Sequence, residues 1–340
     1  MVSRPVRRNL RTAKDLLRDM LRSKSPREAL HKLRKFNQEL PLESWSQTVG
    51  RVLVSVYFFN LVVENLELYH FYQREWRGGL TRLPKNAPAY PWISLVLVLP
   101  SATATLFNVN VPLAAGLLTL DMLREDAVLL WQAAMMLLIN GQRPNELMTK
   151  KMALLGCSAL LFSGAMRDAR AGGARNARAA AFAGMLDDGS TALTGRRASI
   201  GLLVGRLLLA LLFVYVGTGQ LTRIRHRADL WTHRVDPTDG HDNMWLVLEL
   251  LLALPFAVGF KTKTVSLMLA ATLWCEALTC WQFWSLGDAG PDRVAWTTGK
   301  RIHTRSHFVT NISCAGGLIL LTGIGPGRYT VDRLLSKKAA

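Results

Sequence analysis

The sequence is short of acid. Its 340 residues hold 24 Asp and Glu against 42 Lys and Arg, a net charge of +18. Charged residues make up 19% of the chain, below the roughly 25% of a soluble domain. With half the residues apolar, this excludes a disordered chain and an ordinary soluble enzyme. Cysteine is scarce too. Cys157, Cys275, Cys280 and Cys314 all lie in apolar stretches, with no CxxC or Cys/His metal spacing, so a disulfide scaffold is excluded and the four read as small buried hydrophobes. Catalytic signatures are missing: there is no GxGxxG after a strand, no Walker loop, no GxSxG and no HExxH. No catalytic, cofactor-binding or metal-binding residue is assigned, and the protein is expected not to be an enzyme. No cleavable signal peptide is expected either, because the first apolar stretch begins only near Val52.

What is present is a series of long apolar stretches separated by Arg-rich connectors. Spanning a bilayer takes about twenty apolar residues in a helix. Candidates are 51–71, 92–107, 109–123, 127–140, 147–166, 200–217, 244–260, 264–285 and 308–323. Two of these, 109–123 and 127–140, are short and are separated by Arg124-Glu125-Asp126. The positive blocks settle the count. The arm 1–49 carries twelve Lys and Arg, the Ala/Gly/Arg-rich loop 167–199 six Arg, and the tail 324–340 Arg328, Arg333, Lys337 and Lys338. The positive-inside rule puts all three on one side, so an even number of crossings must separate them. One candidate between 91 and 140 is then a half-span, or 109–140 is a single broken unit. The fold expected is all-α: a polytopic bundle of about eight transmembrane helices, grouped as 50–166 and 200–323.

Two short amphipathic helices are expected in the basic arm, from apolar stripes at Leu10, Leu16, Leu17, Met20 and Leu21 and at Leu30, Leu33, Phe36 and Leu40. Such helices lie on an anionic membrane, dock on a partner, or remain a solvated tail. The Arg-rich first twelve residues resemble the start of a mitochondrial presequence.

Polar residues inside the apolar stretches are costly and therefore candidates for function. Asn60, Glu64 and Glu67 share one helical face. Arg206, Glu249 and Glu276 lie in later segments. Arg206 is expected either to pair with an acid from a neighbouring helix or, like Glu67, to snorkel to an interface. Glu64 and Glu276 are candidates for a buried polar pair or cavity. Gly201 and Gly205 have GxxxG spacing, suited to close helix packing. The tryptophans, among them Trp92, Trp281 and Trp284, sit near segment ends and read as an aromatic belt. His226, His233 and His241 match no metal spacing and read as a solvated loop. His303 and His307 read as a loop or helix start.

Val258-Gly-Phe-Lys-Thr-Lys263, the helix ending Trp281-Gln-Phe-Trp284, and Phe308-Val-Thr-Asn-Ile-Ser-Cys-Ala-Gly-Gly317 leading to Gly325-Pro-Gly327 resemble the Surfeit locus protein 4 family, within the DoxX-like membrane superfamily. Gly205-Arg206 opening an apolar helix is similar, and the likeness extends in outline over 50–330. It implies a non-enzymatic receptor that gathers soluble secretory cargo for coated vesicles between endoplasmic reticulum and Golgi. Lys337 and Lys338, third and fourth from the end, have the form of a di-lysine retrieval signal for a vesicle coat. The chain departs from the family in its long basic arm, its enlarged loops 218–243 and 286–306, and Phe59-Asn60 where the family has an acidic pair.

Two functional readings follow. One is the cargo receptor of endoplasmic reticulum and Golgi, with cargo and coat as partners. The other is an accessory subunit of a mitochondrial inner-membrane respiratory complex, whose basic extensions grip neighbouring subunits and anionic lipid such as cardiolipin. Nucleic acid is not an expected partner, since topology and lipid account for the Arg and Lys clusters.

Overall fold

A computed structural model describes residues 42–77, 90–140, 146–171, 191–229, 244–285, 294–325 and 327–339. The chain divides into two units, Met1–Ser46 and Gln47–Ala340. The arm's expected amphipathic helices and the histidines of loop 218–243 fall outside the described side chains.

The described residues are almost all helical. They form α1 (Leu42–Arg77), a π-helical turn Ser94–Val98 running into α2 (Leu99–Leu106), α3 (Val111–Asn140) and α4 (Glu146–Ala171). Then follow α5 (Thr191–Asp229), α6 (Met244–Val258), α7 (Thr262–Cys280), α8 (Val294–Ile324) and α9 (Val331–Ala339). Four stretches are long and apolar enough to cross a membrane: Trp45–Phe71, Ala198–Thr218, Thr262–Ser285 and Lys300–Ile324. Two shorter apolar helices, Ser94–Leu106 and Leu248–Val258, accompany them.

Region 109–140 corrects the sequence expectation. It is one unbroken helix, α3, and Arg124-Glu125-Asp126 lies inside it. Intrahelical hydrogen bonding tolerates the charges because Asp121 accepts from Arg124 at 3.0 Å and Glu125 pairs with Lys151 of α4 at 3.8 Å. The nine apolar candidates thus fall on eight helices, α1 to α8, among the described residues. His303 and His307 are also not in a loop: α8 starts at Val294 and carries both, His307 buried and His303 exposed.

The two halves repeat one layout. α1 and α5 are long, α2 and α6 short and apolar, and each short helix ends in a tight turn before the next pass. At the end of α6 the Gly259 N–H donates to Phe256 O at 3.1 Å and the Phe260 N–H to Pro255 O at 2.9 Å. This is a Schellman cap, with Gly259 at φ +73°. At the end of α2 the Asn108 N–H donates to Thr105 O and the Val109 N–H to Ala104 O. Asn108, at φ +59°, takes glycine's place there, as a short polar side chain can.

The core lies between α4, α5 and α8, and small residues set its closeness. A Cβ on Gly156 of α4 would stand 2.8 Å from Gly205 O of α5, and one on Gly201 would meet the Ser163 hydroxyl. A Cβ on Gly316 of α8 would stand 2.5 Å from Leu53 Cβ, and one on Gly50 would meet Gly316 O at 2.8 Å. The first and the last transmembrane helix therefore touch backbone to backbone.

Candidate functional site: a buried polar cluster beside a charged cavity

Polar side chains gather where α1, α3, α4, α7 and α8 meet, toward the end of the bundle away from α9. Lys150, on the first turns of α4, is 2% exposed, and Glu276 of α7 and His307 of α8 are almost as buried. Lys150 Nζ lies 3.1 Å from His307 Nδ1 and 4.0 Å from Glu276 Oε1. Trp281 donates its indole N–H to the same Glu276 oxygen at 3.1 Å. Its ring stacks on His307 with centroids 4.0 Å apart and planes 8° from parallel. Lys150 Nζ also stands 5.0 Å from the Trp281 ring centroid. His303 meets the other edge of His307 at 4.5 Å. Lysine is a donor without acceptor capacity, so His307 Nδ1 accepts and its proton sits on Nε2. A buried ammonium needs this many partners to offset its lost hydration.

Lys150, Glu276 and His307 are buried in this cluster, and the partly exposed Trp281 covers one face of the imidazole while Lys150 occupies its Nδ1. Among the described residues no group of three His, Cys, Asp or Glu is placed to hold a metal ion.

Beside it opens a cavity of about 380 Å³, lined by Tyr57, Leu61, Glu64 and Asn65 of α1, Arg124 and Glu125 of α3, Lys151 of α4 and Ser306 of α8. A neighbouring hollow of about 430 Å³ shares Asn65, Arg124 and Glu125 and reaches Tyr90 and Trp92. Asn65 donates to Ser94 Oγ at 2.8 Å between the two. Two carboxylates and two cations face one space, which suits a polar or zwitterionic solute better than an apolar one. Asp126 is fully buried nearby, and among the described residues neither of its carboxylate oxygens has a hydrogen-bond donor.

The candidate residues divide between this site and other places. Glu64 lines the cavity, and Asn60 donates to it from one turn away at 3.4 Å. Glu276 belongs to the buried cluster. Glu249 is buried in α6. Glu67 does not simply reach for an interface: Arg305 of α8 grips it with two bonds of 3.0 and 2.5 Å. Arg206 does not snorkel either. It is 1% exposed and lies at the opposite end of the bundle, donating to Ala257 O at 3.1 Å and Tyr329 O at 2.7 Å. A carbonyl at the end of α6 and one just before α9 receive it, and the Asp332 carboxylate of α9 attracts its charge. Trp281 leaves the aromatic belt for the cluster, whereas Trp92 and Trp284 remain exposed. Lys337 and Lys338 fall on α9.

Arg206 joins a second constellation. The Asp332 carboxylate accepts from the Lys261 N–H at 2.6 Å and from the Thr262 N–H and hydroxyl at 2.8 and 2.9 Å. The Asp332 N–H in turn donates to Gly259 O at 3.1 Å. Lys261, at φ +45°, offers no side-chain cap to α7, so Asp332 caps that helix from seventy residues downstream and places a negative charge at its positive end. Partial burial pushes the Asp332 carboxyl up. The bonds from Thr262 and Lys261 and the charge of Arg206 outweigh that and hold it below the usual carboxylate range. Gly259 is where the three parts meet: a Cβ there would clash with Thr330 and with Arg206 Nη1 at 2.9 Å.

The sequence profile of the SURF4 family matches residues 242–339, which supply Glu276, Trp281, His307 and the whole Asp332 cap. The chain belongs to the SURF4 family. It is similar to the inner membrane protein YqjF of Escherichia coli, with 32% identity over 143 residues, 41% of this chain and 95% of YqjF. It is also similar to the ER-derived vesicles protein ERV29 of Saccharomyces cerevisiae, with 32% identity over 87 residues, 26% of this chain. That alignment spans 25% of ERV29's own length. No solved structure matches. The YqjF alignment has about the length of one four-helix half of this SURF4-family bundle.

Proposed function

We propose that this SURF4-family membrane protein is a receptor that collects soluble cargo in the endoplasmic reticulum and travels with it in vesicles. The observation that carries the reading is the SURF4 match over 242–339, with a yeast relative named for vesicles derived from that organelle. The charge distribution supports it. Arg167, Arg206, Lys261, Lys263, Arg328 and Arg333 all lie at the α9 end, which the positive-inside rule turns to the cytosol. The cavity with Glu64, Arg124, Glu125 and Lys151 then opens toward the lumen, where cargo is. Lys337 and Lys338 are assigned to coat recognition on the cytosolic side. No catalytic step is part of this proposal.

Deleting the protein and measuring secretion tests it. Soluble secretory proteins are expected to accumulate in the endoplasmic reticulum, and restoring the chain with Lys337→Ser and Lys338→Ser is expected to move the receptor onward from it. Normal secretion, with the chain co-migrating with a respiratory complex on native gels, overturns the reading in favour of an accessory subunit.

A further inference from the structure

The α9 end of the bundle carries an apolar surface that the protein itself leaves uncovered. Leu334 is 64% exposed and Leu335 52%, and Tyr329 and Phe260 are exposed beside them. On α9 the apolar residues Val331, Leu334 and Leu335 follow helical i, i+3, i+4 spacing and so share a face. Lys261, Lys263, Arg328 and Arg333 are exposed around that face, and Lys261 Nζ stands 5.8 Å from the Phe260 ring centroid. Asp332, the acid of this patch, is turned inward and spent on the Lys261 and Thr262 N–H groups. With the Asp332 N–H bonded to Gly259 O, α9 and the turn at 258–263 form one piece.

We propose that α9 and the 258–263 turn are an in-plane anchor, built to lie in the headgroup layer of an anionic phospholipid leaflet. An apolar helix face bordered by cations is the form of a helix that sinks partway into a membrane surface, and cations close to anionic headgroups add to the attraction. Continuity decides for lipid over an acidic protein. The chain passes from the membrane-length stretch Lys300–Ile324 into α9 within seven residues, and exposed Val258 and Leu254 of α6 stand just before the 258–263 turn. The Asp332 cap and the Arg206 bonds fix the height of α9 relative to the bundle. The inference rests on the membrane-bound bundle and is independent of any cargo.

The test uses the full chain in nanodiscs of phosphatidylcholine alone or of phosphatidylcholine mixed with phosphatidylserine, and reads amide exchange over 331–339. Exchange is expected to be slower by about tenfold or more in the anionic discs. Replacing Leu334 and Leu335 by Asp is expected to remove that protection while the amides of α7 and α8 stay as slow as before. Lys261→Gln with Lys263→Gln is expected to shrink the difference between the two discs. Equal exchange in both discs overturns the proposal. So does full protection in the phosphatidylcholine discs on adding inorganic phosphate, which marks a site for a free anion.

Discussion

Lys150 Nζ sits 3.1 Å from His307 Nδ1 across 157 residues of sequence, and both side chains are buried. The bond ties the start of α4 to the middle of α8, and Glu276 and Trp281 bring the end of α7 to the same point. Three helices of the bundle are thereby held in register by one ammonium group.

Removing the partner of that ammonium is the first prediction. Lys150→Met leaves the Glu276 carboxylate buried without its cation, held by the Trp281 indole N–H. Breaking a buried pair from one side costs about 3–5 kcal/mol, so the variant is expected to lose several degrees of thermal stability in detergent. The double variant Lys150→Met with Glu276→Gln is expected to recover much of that loss. A double variant no better than the single would show that the two groups are not coupled.

The contact between Glu67 and Arg305 gives a second test. Glu67→Arg should destabilise the bundle by setting two guanidinium groups together. Exchanging both residues should restore part of the loss, because a fork of two bonds can form in either direction. Thermal unfolding of the four proteins in a double-mutant cycle reads the coupling.

Small residues set the third. Gly156→Leu forces a side chain into the Gly205 carbonyl, and overpacking of this kind costs about 1–3 kcal/mol. The same substitution at Gly325, which has open space around it but φ +89°, probes backbone strain instead. Gly156→Leu is expected to separate α4 from α5, read as a loss of the coupling between Gly156→Leu and Gly205→Leu in thermal unfolding: the second substitution adds little once the first is made. Gly325→Leu is expected to add to either one independently.

A fourth prediction concerns pH. Asp332 has a depressed folded-state pKa, so its contribution to holding α9 is complete above its ordinary value near 3.8. That contribution is lost only as pH falls further, through the lower folded value. The wild-type segment 327–339 should therefore resist limited proteolysis at pH 4 and become sensitive below it. Asp332→Asn should be more sensitive at neutral pH and show no such acid step. An acid step that persists in Asp332→Asn would assign it to another group.

The sequence made the membrane character and the helical class legible, because twenty-residue apolar tracts and clustered arginines leave few alternatives. Glu64 and Glu276 stood out for the same reason, as ionisable groups where none is cheap. Lys150 did not stand out, since a Thr-Lys-Lys run at the start of an apolar segment looks like an interface. Only the fold reveals that one of two adjacent lysines turns inward. His303 and His307 did carry a signal, their spacing of four, which a helix extended backward from Phe308 would have placed on one face. Arg124-Glu125-Asp126 read as a break because apolar counting weighs charge and ignores partners. Lys151 lies beyond the reach of any local window. The Asp332 cap was equally hidden, since its two halves lie seventy residues apart.

The backbone contact of Gly50 with Gly316 has a consequence for biosynthesis. Gly50 and Gly316 cannot meet until the segment around Leu320 has left the ribosome, so α1 must wait in the bilayer with its Gly50 groove uncovered and its Glu67 carboxylate without Arg305 while α2 to α8 are made. Insertion chaperones that shelter polar transmembrane faces would meet this protein at α1, and truncated nascent chains should be the forms they retain.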